Sequence, residues 1–570
     1  MNFINVYKKR IVLTGTLLFL LGALILGCSG INVTKYYENG AIASSAPIAT
    51  NIGCDIFRRG GNAFDAAIAV GLTLAVVHPE AGNIGGGGFA LIRDGKTKEV
   101  RALDFREKAP MSAYQNMFLD KDSNVIDDLS TLGALACGVP GTIAGLYELW
   151  KSYGTIPWVD LAGLAASLAD TGFIVDQKLV ESFEKNRKAL AIYDETSDIF
   201  LPGGSTPQAG ERFIQKDLAK TLQNIAANGP DGFYKGETAE LIDSCMKKYG
   251  GIITKNDLES YYVVWRNPIV FNFDSLLIYS MPPPSSGGIL LGQILKLIEP
   301  YDFSRYTSQS PEFIHLFCEM SRLAFADRSE FFGDPDYYAI PPGLLDSVYL
   351  EKRRSLFDPE HARLSELTLP GIIPTESEET THFSVCDNQG NMVSITYTIN
   401  ASFGSKLVVH GAGFLLNNEM DDFSVKPGVP NIFGLVGGEA NKIEPGKRML
   451  SSMSPTLVLK KGKPYLALGA PGGSKIITVV AQAIINFTRF GLSPYETVAH
   501  PRFHHQWLPD TLYLEEGSFD INVLQTLIRY GHNIKERDHY SDLQLIYINE
   551  DNGLMSPVSD PRKRGYSSGY

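Results

Sequence analysis

The chain of 570 residues carries 51 Lys and Arg against 63 Asp and Glu, a formal net charge of −12, with 44% hydrophobic residues. Its basic residues are dispersed rather than clustered, which excludes the phosphate-binding surfaces of nucleic-acid partners. The length exceeds an ordinary single domain, yet no Pro/Ser/Gly-rich linker or block of like charge divides it, so one large two-segment domain is expected rather than a string of modules.

At the N-terminus, Lys8-Lys9-Arg10 precede an apolar run from Ile11 to Gly27 that ends at Cys28-Ser29-Gly30. A basic n-region, an apolar h-region and a small-residue end make a secretory signal, and the run is marginal for spanning a bilayer. The Leu26-Gly27-Cys28 ending resembles a bacterial lipoprotein signal, although Leu26 is bulkier than the usual residue there. That resemblance implies a signal peptide over 1–27, lipidation of Cys28 as the first mature residue, and a mature protein tethered at a membrane surface facing the periplasm or exterior.

Downstream, an Ala-rich apolar stretch bounded by Gly60-Gly61 and Pro79 predicts a buried helix over 62–77, followed by short strands over 89–93 and 99–104. Helices are expected over 142–153, 158–171, 213–228, 238–249, 289–298 and 311–325, which makes the first half mostly helical. From 380 onward the pattern turns to strands, over 383–385, 393–398, 456–459 and 465–468, before a helix over 476–490. Lys460, Lys461 and Lys463 around Gly462 read as a solvated turn. Periodicity alone supports a mixed α/β class. The six cysteines, Cys28, Cys54, Cys137, Cys245, Cys318 and Cys386, have no metal-ligand spacing and read as buried small hydrophobes rather than disulfide partners. The histidines show no metal motif, so neither a metal nor a cofactor is expected.

The most informative segment begins at Thr380. A Thr/Ser/Glu-rich loop over 375–379 runs into Thr380 and then into apolar/polar alternation. Cleavage of the Glu379–Thr380 bond would give Thr380 a free α-amine beside its own hydroxyl, the base-plus-nucleophile pairing of N-terminal threonine hydrolases. An α-amine with a pKa of about 8 leaves about a tenth as free base near neutrality, far more than a lysine would. A threonine at a strand start is by itself an ordinary β-former, as is Thr398. His382, two residues on, shares the face of Thr380 and reads as structural support.

Around this segment stand Thr380-Thr381-His382-Phe383-Ser384-Val385, Tyr397-Thr398-Ile399-Asn400, Leu416-Asn417-Asn418-Glu419-Met420-Asp421-Asp422-Phe423, Arg448-Met449-Leu450-Ser451-Ser452-Met453-Ser454-Pro455 and Gly469-Ala470-Pro471-Gly472-Gly473-Ser474. Upstream are Gly82-Asn83-Ile84-Gly85-Gly86-Gly87-Gly88-Phe89, Leu103-Asp104-Phe105-Arg106-Glu107 and Gly138-Val139-Pro140-Gly141, and the chain closes with Ser559-Asp560-Pro561-Arg562. Together these resemble γ-glutamyltransferases, also called γ-glutamyltranspeptidases or glutathione hydrolases, over nearly the whole chain after about residue 40.

The resemblance implies an α+β fold, the four-layer αββα sandwich of N-terminal nucleophile hydrolases. It implies self-cleavage into a large subunit over 28–379 and a small catalytic subunit over 380–570, which remain one domain as a heterodimer. Thr380 would be the nucleophile, Thr398 would orient its hydroxyl, and backbone N–H groups at Gly472 and Gly473 would stabilise the oxyanion. Arg106 with Ser451 and Ser452 would grip an α-carboxylate, and Asp422 with Glu419 and Asn400 an α-ammonium. The segment over 427–438 matches a lid loop, with Phe433 where bacterial relatives often have Tyr. The implied partners are glutathione and other γ-glutamyl compounds as donors, and water or amino-acid and dipeptide amines as acceptors. Two rivals remain open from the sequence: cephalosporin or glutaryl acylases and capsule depolymerases on the same fold, and a surface lipoprotein that keeps the fold for binding alone.

Overall fold

Alternation along two neighbouring strands organises the molecule. The computed structural model describes residues 34–368, 380–426, 429, 431, 435, 437–538 and 541–570. The predicted signal segment with Cys28, the residue Glu379 and the lid residue Phe433 therefore lie outside the described residues.

Strands Thr381–Asp387 and Met392–Thr398 form an antiparallel hairpin with Tyr397 opposite Thr381. Their odd-numbered side chains, Phe383, Val385, Val393, Ile395 and Tyr397, enter one hydrophobic core, whereas Cys386 and Met392 enter another. Both faces are thus buried, as the uninterrupted burial of the two strands requires. The hairpin lies at the centre of a seven-stranded antiparallel sheet, in the order Tyr566–Gly569, Gly40–Ser44, Thr381–Asp387, Met392–Thr398, Gly87–Arg93, Val100–Phe105, Val264–Arg266. A six-stranded sheet packs against it, in the order Met555–Ser559, Gln544–Ile548, Lys463–Gly469, Thr456–Lys460, Leu276–Ser280, Ile269–Phe273.

Helices Ala63–Val77 and Thr142–Tyr153 cover the outer face of the first sheet, and Gly287–Ile298 with Lys475–Thr488 cover the second. The result is the expected helix–sheet–sheet–helix sandwich. Helix Ala63–Val77 is buried on every side, which is why its sequence is apolar all round. Asn62 and Asp65 close its N-terminus with a reciprocal capping box. Its small residues let the sheet approach closely: Gly71 lies against Phe383, and the Tyr397 hydroxyl donates to Gly71 O at 2.9 Å.

Between the two sheets, His382, Ser384, Ser394 and Thr396 of the even-numbered residues are polar, and they are paired. His382 Nδ1 bonds Thr396 Oγ1 at 2.8 Å and its Nε2 bonds Ser384 Oγ at 3.0 Å, while Ser394 Oγ donates to Leu468 O at 3.1 Å. Burial pushes the His382 pKa down to about 3, so it is a neutral spacer, in line with a supporting role. The facing position is Gly469, where an added Cβ would stand 2.4 Å from the His382 ring.

Several elements differ from the sequence expectation. Helix Lys216–Asn228 starts three residues late because Arg212–Phe213 pairs as a strand, and helix Pro311–Phe331 runs six residues past its expected end. The first half also supplies strands to both sheets, including the unpredicted Gly40–Ser44 and Leu276–Ser280. The lysine-rich turn forms as expected, with Lys461 and Gly462 at positive φ, and Lys460 pairs with Glu550 at 2.9 Å. The five described cysteines are free and buried.

Gly469→Ala is expected to cost about 1–3 kcal/mol of stability, because His382 is held by two hydrogen bonds and cannot yield to a new methyl group. A denaturant titration beside wild type measures it, and an unchanged midpoint would contradict the tight inter-sheet packing.

Candidate active site

The hairpin register continues one step beyond its last paired residues, so Thr380 and Thr398 sit opposite each other at the same end of the sheet. There a small cavity brings together Thr380, Thr398 and Asn400 from the hairpin and its exit. Arg106, Asp422, Ser451, Ser452 and Gly473 reach the same cavity from four other segments. Of the remaining sequence-predicted residues, Gly472 adjoins Gly473, and Glu419 is fully buried against Arg106 rather than lining the space.

Thr380 is 6% exposed at the mouth of the Thr381–Asp387 strand. Thr398 Oγ1 accepts the Asn400 N–H at 2.7 Å. That bond holds Asn400 at φ +74, a left-handed conformation that Asn tolerates better than most residues. Asn400 Nδ2 donates to Asn418 O at 2.9 Å, which leaves its amide oxygen as the acceptor it can offer.

Strand Lys463–Gly469 ends in Ala470-Pro471-Gly472-Gly473 and turns directly into helix Lys475–Thr488. Gly472 has φ +121 and Gly473 φ +55, values that exclude ordinary side chains. Their carbonyls accept Lys475 N and Ile476 N, closing the first turn of the helix. Helix N-termini carry partial positive charge and aim N–H groups outward, so this turn is suited to stabilising an oxyanion. Ser541 Oγ donates to Pro471 O and fixes the turn from outside.

The electrostatic centre is Arg106, just after strand Val100–Phe105. Its Nη1 pairs with Glu419 at 2.7 Å and Glu107 at 3.5 Å, and its Nη2 with Asp422 at 2.5 Å. The remaining donors go to Met449 O and Leu450 O. Burial opposes the Arg106 charge, but Glu419, Glu107 and Asp422 outweigh it and raise its pKa. Burial raises the pKa of all three carboxyls, Glu107 to about 7, with Arg106 opposing the rise. The two expected subsites, Arg106 for an anion and Asp422 for a cation, are therefore in direct contact. Ser452 Oγ is buried with no hydrogen-bond partner among the described residues, so it is a donor available to a ligand.

Sequence reasoning missed several contributors. Asn417 binds three motif segments at once, accepting from Gly138 N and Glu419 N and donating to Gly85 O and Gly138 O. Asn431 Nδ2 donates to Asp422 Oδ1 at 2.9 Å. Asn417 and Glu107 stood inside quoted motifs without an assigned role. Arg328, which also lines the cavity, lay just past the expected end of its helix. Elsewhere His315, Glu319 and His532 converge closely enough to hold a metal ion. Their atoms are already engaged: His315 Nδ1 bonds His532 Nε2 at 2.8 Å, and Glu319 takes Arg322 and the Arg363 N–H.

A four-layer sandwich with a threonine at the head of a central strand, opposite a glycine turn at a helix N-terminus, defines an N-terminal nucleophile hydrolase. The γ-glutamyltranspeptidase family profile matches residues 49–570. The chain is 45% identical over 528 residues to the glutathione hydrolase proenzyme of Escherichia coli (strain K12), covering 92% of this chain and 90% of that one. It is 44% identical over 552 residues to the corresponding proenzyme of Pseudomonas aeruginosa, covering 96% and 97%. Among solved structures, cephalosporin acylase from Bacillus halodurans superposes with a TM-score of 0.84 at 27% identity, covering 95% of this chain and 98% of that one. Helicobacter pylori γ-glutamyltranspeptidase gives 0.57 at 45% identity, covering 60% and 97%. The chain belongs to the γ-glutamyltranspeptidase family. Among the described residues no helix is long and apolar enough to cross a membrane.

Arg106→Gln is expected to destabilise the fold by about 3–5 kcal/mol, because it leaves Glu107, Glu419 and Asp422 buried without their common cation. Equilibrium denaturation at neutral pH measures the loss, and a change below about 1 kcal/mol would mean the cluster is not held by its charge.

Proposed function

We propose that the chain is a γ-glutamyl hydrolase and transferase that cleaves the γ-glutamyl amide of glutathione and related compounds. The observation that carries this reading is the gathering of a threonine hydroxyl, a glycine turn and a buried cluster of one guanidinium and three carboxyls around one small cavity.

Maturation comes first. Thr380 Oγ attacks the carbonyl of Glu379, the amide nitrogen leaves as the Thr380 α-amine, and water hydrolyses the resulting ester. This divides a large subunit over 28–379 from a small one over 380–570. Thr398, across the ladder, orients the Thr380 hydroxyl. In turnover the α-amine takes the hydroxyl proton as Oγ attacks the γ-carbonyl, and the N–H groups of Gly472 and Gly473 hold the oxyanion. The proton passes to the leaving amine, and a γ-glutamyl ester remains on Thr380. Water or an amino-acid or peptide amine then takes the acyl group by the same steps in reverse.

The donor's α-amino-acid head fills the charged end. Its ammonium takes Asp422 and the Asn400 oxygen, with the charge of Glu419 behind them, and its carboxylate takes Ser451, Ser452 and Arg106. The incoming ammonium replaces Arg106 at Asp422, which frees one arm of the guanidinium for the carboxylate. This exchange favours a donor carrying both charges and supports the γ-glutamyl reading over an acylase acting on a glutaryl chain, which lacks the ammonium. Phe433 would stand in the lid over this pocket. The N-terminal segment supports export through the signal over 1–27, with Cys28 as a lipid anchor at the periplasmic or outer face of a membrane.

The denaturing intact mass of the protein expressed from Ser29, beside Thr380→Ala, tests the nucleophile. The expected result is two fragments divided between 379 and 380 in wild type and one uncut chain in the variant. One chain in both would overturn self-cleavage. In the matured enzyme, KM for a γ-glutamyl donor is expected to rise as pH falls, beginning above the ordinary carboxylate range. The ammonium requires ionised carboxylates, and burial holds those of Asp422 and Glu419 above their ordinary pKa values. A KM independent of pH down to the ordinary carboxylate range would contradict that assignment.

A further inference from the structure

Two guanidinium groups reach this pocket, and they are held very differently. Arg106 spends every donor on Glu107, Glu419, Asp422 and the carbonyls of Met449 and Leu450. Arg328 does not. It lies in the last turn of helix Pro311–Phe331, is 4% exposed, and lines the same cavity as Thr380 and Asp422. Its Nε donates to Ser286 Oγ at 2.9 Å. Among the described residues no carboxylate or carbonyl receives its two Nη groups.

A buried guanidinium without an anionic partner is costly, and proteins keep one where a ligand completes it. Burial lowers the Arg328 pKa to about 10, so it remains a cation at neutral pH, and Asp422 favours that charge across the cavity. The C-terminal end of its helix favours a cation as well. The three carboxyls of the cluster already belong to Arg106, and one of them is needed for an ammonium. A second anion must therefore come from the ligand. Ser452, whose hydroxyl has no partner among the described residues, lines the same space.

Resting on the γ-glutamyl reading above, we propose that Arg328 binds the donor's α-carboxylate through its two Nη groups, closing a two-arginine clamp with the arm of Arg106 that the ammonium releases. Arg328 is then the residue that makes a free α-carboxylate a requirement for the donor. A purely structural alternative runs through Ser286, whose hydroxyl donates to Ser451 O at 2.9 Å and could transmit a loss of Arg328 to the serine pair.

The two roles separate when the matured enzyme is given two donors, a γ-glutamyl anilide and its α-carboxamide analogue, which keeps the ammonium and scissile bond but loses the negative charge. In Arg328→Gln, the ratio of kcat/KM between the carboxylate and carboxamide donors is expected to fall about ten- to hundredfold, mostly through KM. Arg328→Lys should recover part of it. An unchanged ratio, whether both donors lose activity equally or neither does, overturns the proposal. If Arg328→Gln fails to self-cleave, Arg328→Lys carries the test: a drop in the same ratio supports the clamp, and an unchanged ratio rejects it. Failure of the γ-glutamyl reading itself would look different, because wild type would then turn over neither donor.

Discussion

The antiparallel ladder between Thr381–Asp387 and Met392–Thr398 is the constraint on which the rest of the site depends. Pairing Tyr397 with Thr381 sets Thr398 across from Thr380. The next ladder pairs Thr398 with Gly87, and the one after it pairs Gly88 with Phe105, the residue before Arg106. Thr380, Thr398 and Arg106 are thus fixed by consecutive steps across one sheet. A one-residue slip would send Phe383, Val385 and Ile395 into the polar layer between the sheets and His382 into the helix layer, so burial on both faces locks the register. The glycines of 85–88 belong to the same constraint. A Cβ at Gly86 would stand 2.0 Å from Thr398 O, and one at Gly87 would meet the Glu107 carboxylate at 2.7 Å.

Charge at the other end of the pocket is organised around scarcity of cations. One saturated guanidinium serves three carboxyls, each of which burial pushes toward the protonated form. Such a cluster gains from a ligand that brings a positive charge to Asp422. An α-amino acid suits it because its two charges arrive together, each satisfying what the other displaces. The neighbouring glycine turn, at the start of helix Lys475–Thr488, adds the partial charge of a helix N-terminus to the reacting end.

Much of this could be read from the sequence, and what escaped has identifiable causes. Alternation made the two strands legible but left Thr380 and Thr398 as ordinary β-formers; their candidacy and that of Asn400 came from the family resemblance, while two glycines between a strand and an apolar helix were legible as a turn. Helices 142–153 and 158–171 were placed to the residue, since an apolar period runs through each and a glycine, Gly154 or Gly172, follows its last turn. Strand Gly40–Ser44 was not, because Gly-Ala-Ile-Ala-Ser has little β-propensity and is held by neighbours far along the chain. The contact between Arg106 and Asp422 joins residues 316 apart and has no local signature. Arg328 escaped for a related reason: it lies beyond the expected helix end at 325, and only tertiary packing buries it.

The strand order also bears on what a break before Thr380 would do. Gly40–Ser44, from the segment ahead of the break, is sandwiched between Tyr566–Gly569 and Thr381–Asp387, both from the segment behind it, and the second sheet likewise joins Leu276–Ser280 to Thr456–Lys460. Neither piece owns a complete sheet, so neither has a stable form of its own to return to. Folding must precede the cut, as a unimolecular event along one chain. Once cut, reassembly would need two incomplete partners to find each other while exposing sheet edges, a slow and aggregation-prone encounter. The interleaved topology would therefore act as a ratchet: a protein cleaved there would be trapped in its native state by kinetics, its lifetime governed by the height of the unfolding barrier rather than by the equilibrium between folded and unfolded forms.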